Sequence, residues 1–204
     1  MIRIYHAPGT RSIRVMWLCE ELGLEYEVVA VDFSAEYRAS PEWRRLNPVG
    51  KVPVLIDADL TMFESGAMLQ YLLDRYGDGR LQPEAGTPEH AIYLQWCWFA
   101  ESTFARPLGE IVNHRRALPE AEQSDAAIAE MQERSRLCIQ ALDPVLADRP
   151  YLLGETFSAA DIMTGYSLML ATRLVPGGFP SNVAAYWQRL CERPGYVAAI
   201  AHGA

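Results

Sequence analysis

Lysine is almost absent from this chain: among 204 residues there is one, Lys51, against 17 arginines, and with 26 acidic residues the formal net charge is -8. Basic residues gather no more densely than pairs such as Arg115 and Arg116. The counterion-displacing surface that nucleic acid requires is missing, so no nucleic-acid partner is expected. Cysteine is sparse, with Cys19, Cys97, Cys138 and Cys191 at least 41 residues apart. That spacing excludes a C-x-x-C redox pair and Cys/His zinc sets, and no metal is expected. No apolar run approaches the ~20 residues needed to cross a bilayer. Met1 leads directly into Ile2-Arg3-Ile4-Tyr5 without an apolar leader, so the expectation is a cytoplasmic protein with no membrane partner. Catalytic cassettes are missing as well: there is no G-x-S-x-G, H-E-x-x-H or G-x-G-x-x-G, and Gly50-Lys51 is followed by Val52-Pro53 rather than the Ser or Thr of a phosphate-binding loop. What is present, 50% hydrophobic and 22% charged residues, is enough to bury a core.

The elements change character midway. Residues 2–5 alternate and end at Ala7-Pro8-Gly9-Thr10, a strand and a turn. Val15, Leu18, Cys19 and Leu22 then repeat at helical spacing, with Glu20 and Glu21 on the opposite face and Gly23 as a stop. Glu25 to Asp32 alternates again, so the start reads as a parallel β-α-β unit. Ser40-Pro41-Glu42 opens a short helix, Val52 to Ile56 and Thr61 to Phe63 flank a hairpin turn, and Ser65 caps a helix that fades near Tyr76-Gly77. Glycines and prolines punctuate the next stretch, after which strand signals stop. Thr87-Pro88-Glu89 begins a long helix with two stripes: Ile92, Trp96, Phe99, Thr103 and Tyr93, Cys97, Ala100, Phe104. A second helix runs from Ile128 toward Val145, where Pro144 should kink or end it, and at least two more follow through Asp161–Ala171 and Val183–Cys191. Ser158-Ala159-Ala160-Asp161 reads as a capping box, a folding signal rather than chemistry. The expected domains are an α/β unit at 1–78, a linker at 79–87 and an all-α unit at 88–204.

Asn47-Pro48-Val49-Gly50-Lys51-Val52-Pro53 is the segment that asks for more than a fold. A proline at the head of a strand leaves the preceding Val52 with backbone groups open to an extended peptide-like ligand. Together with Tyr5 to Ser12, Glu20-Glu21-Leu22-Gly23, Glu64-Ser65, Tyr151-Leu152-Leu153-Gly154 and Phe157 to Ile162, this segment closely resembles the soluble (cytosolic-type) bacterial glutathione S-transferase family. The resemblance spans nearly the whole chain, and its Asn-Pro-x-Gly-Lys-Val-Pro then Glu-Ser pattern is specific. It implies an N-terminal thioredoxin-like domain (βαβ-α-ββα) followed by a C-terminal helical bundle domain.

It also implies glutathione as co-substrate. Val52, before a cis Pro53, would pair with the cysteinyl backbone; Glu64 would attract the ammonium and Ser65 the carboxylate of the γ-glutamyl end; Lys51 would face the glycyl carboxylate. The thiol would be activated by a hydroxyl, for which Ser12, Thr10 and Tyr5 are the candidates, with Arg11 a possible electrostatic aid. Some bacterial members carry cysteine where this chain has Arg11, so no mixed disulfide can form there. A small hydrophobic electrophile would sit between the domains near Trp96, Phe99, Phe104 and Arg106, although aromatic residues at helical spacing are core by default. His114, Arg115 and Arg116 read more simply as a solvated helix face. The implied activity is conjugation of the glutathione thiolate in detoxification or catabolism. Glutathione-dependent disulfide or peroxide reduction and a non-catalytic glutathione-binding scaffold are the alternatives. A homodimer is implied by the resemblance alone.

Overall fold

Alternation along the first strand sends Ile2, Ile4 and His6 to one face of a sheet and Arg3 and Tyr5 to the other. The computed structural model, which describes residues 1–202, divides into two units: Met1–Arg80 with the chain from Cys191 onward, and Leu81–Leu190.

The first unit runs β1 (Ile2–His6), α1 (Ser12–Leu22), β2 (Tyr26–Ala30), α2 (Ala35–Ala39), α3 (Pro41–Leu46), β3 (Val54–Asp57), β4 (Leu60–Phe63) and α4 (Ser65–Tyr76). Its sheet has the order β2-β1-β3-β4. β1 and β2 are parallel, in keeping with the helical crossover between them, while β3 pairs antiparallel with both β1 and β4. Gly23 ends α1 at φ 69°, a left-handed position that costs glycine little, and its N–H closes back on the Cys19 and Glu20 carbonyls. Ser40 caps α3 by accepting from the Trp43 N–H at 3.2 Å, as its Ser-Pro-Glu sequence suggests. The preceding α2 was not read from the sequence. It is five residues long, capped by Ser34, and has no buried residue, so periodicity had nothing to register.

Two expectations need correction. α1 is not amphipathic in place: Ser12 through Cys19 are all buried, because α4 and a helix from the end of the chain, α10 (Pro194–Ala201), both pack on it. Glu21, expected to face solvent, accepts from Trp17 Nε1 at 2.9 Å and pairs with Arg193 at 2.6 Å. The other shift is at β3, which opens at Val54 rather than Val52, leaving Val52 and Pro53 outside the ladder. The opposite face of the sheet is closed by Trp43, Ala7, Val52 and Val54, with Tyr5, Phe33 and Tyr37 packed around them.

The second unit is helical: α5 (Pro88–Trp98), a π-helical turn (Phe99–Phe104), α6 (Ala105–Ala117), α7 (Asp125–Leu142), α8 (Ala159–Leu174) and α9 (Ser181–Cys191), with a short 3-10 turn at Glu120–Glu122. Every residue of α8 from Ala159 to Ala171 is buried, as befits the central helix of a bundle. Of the two stripes expected here, the one through Tyr93, Cys97, Ala100 and Phe104 is the better buried. Ile92 and Thr103 are exposed, whereas Tyr93, Ala100 and Phe104 are buried. α7 stops at Leu142, just ahead of Pro144. At the head of α8, Asp161 Oδ2 accepts from the Ser158 N–H at 2.8 Å and the Ser158 hydroxyl at 3.0 Å, and Oδ1 accepts from Tyr186 at 2.8 Å and the Leu152 N–H at 3.0 Å. The capping sequence therefore ties α8, α9 and the loop before them together.

Candidate functional site

Register brings the distant segments together. Tyr5 pairs with Val54 and Val54 with Phe63, so one row crosses β1, β3 and β4. Just beyond that row, at one end of the sheet, lie the turn into α1, the Val52-Pro53 dipeptide and the Glu64-Ser65 entry to α4. Sequence separation of some fifty residues is thus removed by two strand pairings.

The Val52–Pro53 peptide is cis, and both residues are buried. Asn47 holds the loop that delivers them: its Nδ2 donates to the Lys51 carbonyl at 2.8 Å, its Oδ1 accepts from the Val49 N–H at 3.1 Å, and its carbonyl accepts from the Gly50 N–H at 2.9 Å. Gly50 sits at φ 66°, and a Cβ there would stand 2.6 Å from the Arg38 carbonyl oxygen. Lys51 is exposed.

α4 starts without a side-chain cap from this chain. Glu64 occupies the cap position at φ 76°, an uncommon conformation for a residue with a Cβ, and Ser65, expected as the cap, is instead the first helical residue. The N–H groups of the first turn and the positive end of the helix favour an anion there. Behind Ser65 lies the fully buried Arg14, whose Nη1 donates to the serine Oγ at 3.3 Å. Arg14 was not singled out from sequence, and a charge in the middle of an apolar helix was the available signal.

The three hydroxyl candidates separate by burial. Tyr5 is half-buried, with its ring 5.7 Å from that of Trp43. Arg11 holds the N-cap position of α1, and Ser12 is the first residue of the helix, with no solvent exposure. Its Oγ lies 2.7 Å from Thr10 Oγ1 and 2.7 Å from His6 Nδ1. Thr10 is half-buried and donates to the Ala7 carbonyl at 2.7 Å. His6, another residue missed, falls on the buried face with Ile2 and Ile4; a polar residue at an inward position of an alternating strand is its sequence signal. Two of the thiols are unsuited to nucleophilic work: burial pushes Cys19 up to about 12 and Cys138 up to about 11.

In the helical unit, Trp96 and Phe104 are buried, while Phe99 is half-buried between them at 5.3 and 6.3 Å between ring centroids. Arg106 is exposed and paired with Glu110 at 3.0 Å. Phe104 therefore serves the interior rather than a surface. His114 Nε2 accepts from the Ser124 N–H at 2.9 Å, and Arg116 donates to Asn113 at 2.7 Å, in keeping with a structural helix face. Among the described residues, no helix is long and apolar enough to cross a membrane.

Comparison with known proteins agrees with this geometry. Residues 1–74 match the family model "Glutathione S-transferase, N-terminal domain" and residues 106–194 match "Glutathione S-transferase, C-terminal domain". The chain is 30% identical to the probable glutathione S-transferase GSTF1 of Oryza sativa subsp. japonica, over 92% of this chain and 90% of that one. It is 32% identical to the disulfide-bond oxidoreductase YfcG of Escherichia coli, over 79% and 76% respectively. The crystal structure of the theta class glutathione S-transferase from Xanthomonas axonopodis pv. citri with glutathione bound superposes with a TM-score of 0.83 at 32% identity, covering 98% of this chain and 96% of that one.

Proposed function

The chain belongs to the glutathione S-transferase family, and from that premise we propose that it binds glutathione in extended form at the strand-end site and joins the thiolate to a small hydrophobic electrophile. The observation that carries this reading is the convergence of the Val52–Pro53 loop, the α4 N-terminus and the α1 hydroxyls beyond the row Tyr5, Val54, Phe63. Each end of the tripeptide finds complementary chemistry. The γ-glutamyl carboxylate goes to Ser65 and the α4 N–H groups, with Arg14 adding positive charge behind them, and its ammonium goes to Glu64. The cysteinyl backbone pairs with Val52 outside the ladder, and the glycyl carboxylate faces Lys51.

A free thiol ionises near pH ~8.5, so activation requires a donor to the sulfur. Thr10 takes that role: Ser12 is fully buried, and the Tyr5 ring packs on Trp43. Arg11 and the first N–H groups of α1 add positive potential. The thiolate then forms a carbon–sulfur bond to the electrophile as the leaving group departs. Phe99, Trp96 and Arg106 belong to its site in this reading, with Phe104 as backing. The family membership supports a homodimer, and the demand for glutathione supports a cytoplasmic location.

Retention on immobilised glutathione, weakened by Ser65→Ala, together with conjugation of a chloronitrobenzene-type substrate, tests the proposal. Normal retention without turnover would sink conjugation as the activity.

The disulfide-bond oxidoreductase among the relatives favours a second reading, in which bound glutathione attacks a disulfide and a second glutathione releases the product, leaving oxidised glutathione and two thiols. With Arg11 in place of cysteine, glutathione itself must carry both electrons. Conjugation and disulfide-reduction rates measured on one preparation separate the two readings. The intact Val52-Pro53 and Glu64-Ser65 segments speak against a non-catalytic scaffold.

A further inference from the structure

The hydroxyl pair at the start of α1 continues into the interior. Thr10 Oγ1 donates to the Ala7 carbonyl at 2.7 Å, Ser12 Oγ lies 2.7 Å from Thr10 Oγ1, His6 Nδ1 lies 2.7 Å from Ser12 Oγ, and His6 Nε2 lies 3.1 Å from the His202 carbonyl. A carbonyl only accepts, so both ends of this chain of contacts take protons. With the Thr10 proton on Ala7, the proton between the two hydroxyls comes from Ser12, and Ser12 accepts from Nδ1; with Nε2 donating to His202 instead, the order reverses. Four links between two accepting ends take four protons, whereas two hydroxyls and a neutral ring supply three.

We propose that His6 is a positioning residue for thiol activation, acting through Ser12 to orient the hydroxyl of Thr10. The proposal rests on the glutathione reading above. His6 is 3% exposed and Ser12 0%, so both act through the half-buried Thr10. With Ser12 donating to it, the Thr10 oxygen is occupied as an acceptor, and its own proton turns from Ala7 to the glutathione sulfur. Chained hydrogen bonds polarise one another, which makes Thr10 a stronger donor than an isolated hydroxyl. The opposite direction, with Ser12 donating into Nδ1, would draw the Thr10 proton inward and leave the sulfur facing an oxygen lone pair. No proton is transferred; only the orientation of the donors is fixed.

The test is a pH titration of the ultraviolet thiolate absorbance of bound glutathione in the full-length protein and its variants, each first checked for retention on immobilised glutathione. The wild-type midpoint should lie below the ~8.5 of a free thiol. Ser12→Ala and His6→Leu should each raise it by about one pH unit, the worth of a weakened hydrogen bond to a charged group. The double variant should move it no further than either alone, because both break one chain. His6→Asn, whose amide can stand in for the Nδ1 donor, should restore the midpoint to within a few tenths of wild type. Ser12→Ala removes a single oxygen and decides the matter if His6→Leu does not fold. A Ser12→Ala midpoint equal to wild type, or shifts that add in the double variant, overturns the relay while leaving the glutathione reading intact. A wild-type protein that is not retained overturns the glutathione reading itself.

Discussion

Asp57 shows how a single buried carboxylate can matter to a domain without touching its site. It ends β3, and its Oδ2 accepts from Tyr76 and, at 2.8 Å, from Tyr71, with Arg75 at 3.6 Å. The hydrogen bond from Tyr76, then that from Tyr71 and the charge of Arg75, hold the carboxyl below its ordinary value against the opposing effect of burial. A depressed folded-state value stabilises the fold above the unfolded carboxyl's ~3.9 and loses that contribution as pH falls through the folded value. Asp57→Asn should therefore lower the thermal midpoint at neutral pH, and the gap from wild type should close below about pH 4. A gap that stays constant down to pH 3 would refute this account.

Among the elements, the loop that presents Val52 depends on backbone geometry more than on any charge. Gly50→Ala must place a Cβ against the Arg38 carbonyl in a left-handed conformation, so a loss of about 1–3 kcal/mol in stability is expected, with weaker retention on immobilised glutathione. Denaturant unfolding of the variant measures the first effect. In the helical unit, Asp161→Ala would leave the Tyr186 hydroxyl and two backbone N–H groups without their acceptor in a fully buried place. A loss of about 3 kcal/mol or more should appear in the same measurement, whereas a value under 1 would show that the box is dispensable. The helix boundaries near these elements were readable because caps and stops are local: Ser40, Gly23, Thr87 and Pro144 all act within a turn of their position. The π turn at Phe99–Phe104 was not readable, since a widened turn leaves no distinctive residue behind.

At the scale of the whole chain, the return of the last helix to the first unit carries its own prediction. Tyr196 packs edge-on to Trp17 at 4.9 Å, and Arg193 pairs with Glu21. Ending the chain at Leu190 would uncover the apolar side of α1, and several kcal/mol of burial would be lost with Trp17 alone accounting for about 2–3. The truncated protein should aggregate or melt at least 10 °C lower, by a conversion of roughly 2–4 °C per kcal/mol; an unchanged melting temperature would show that α10 is a passive tail. Sequence patterning determined the strand order, the order of the helices other than α2, α6 and α10, and the change from mixed to helical structure, because alternation, helical spacing and capping are short-range effects; the segments proposed for glutathione came from the family resemblance. Only the tertiary structure decided that α1 is buried on every side, that Ser12 lies inside while Thr10 reaches the surface, and that His6 stands behind both. Burial and hydrogen-bond partners are set by residues far along the chain, and no local pattern carries that information.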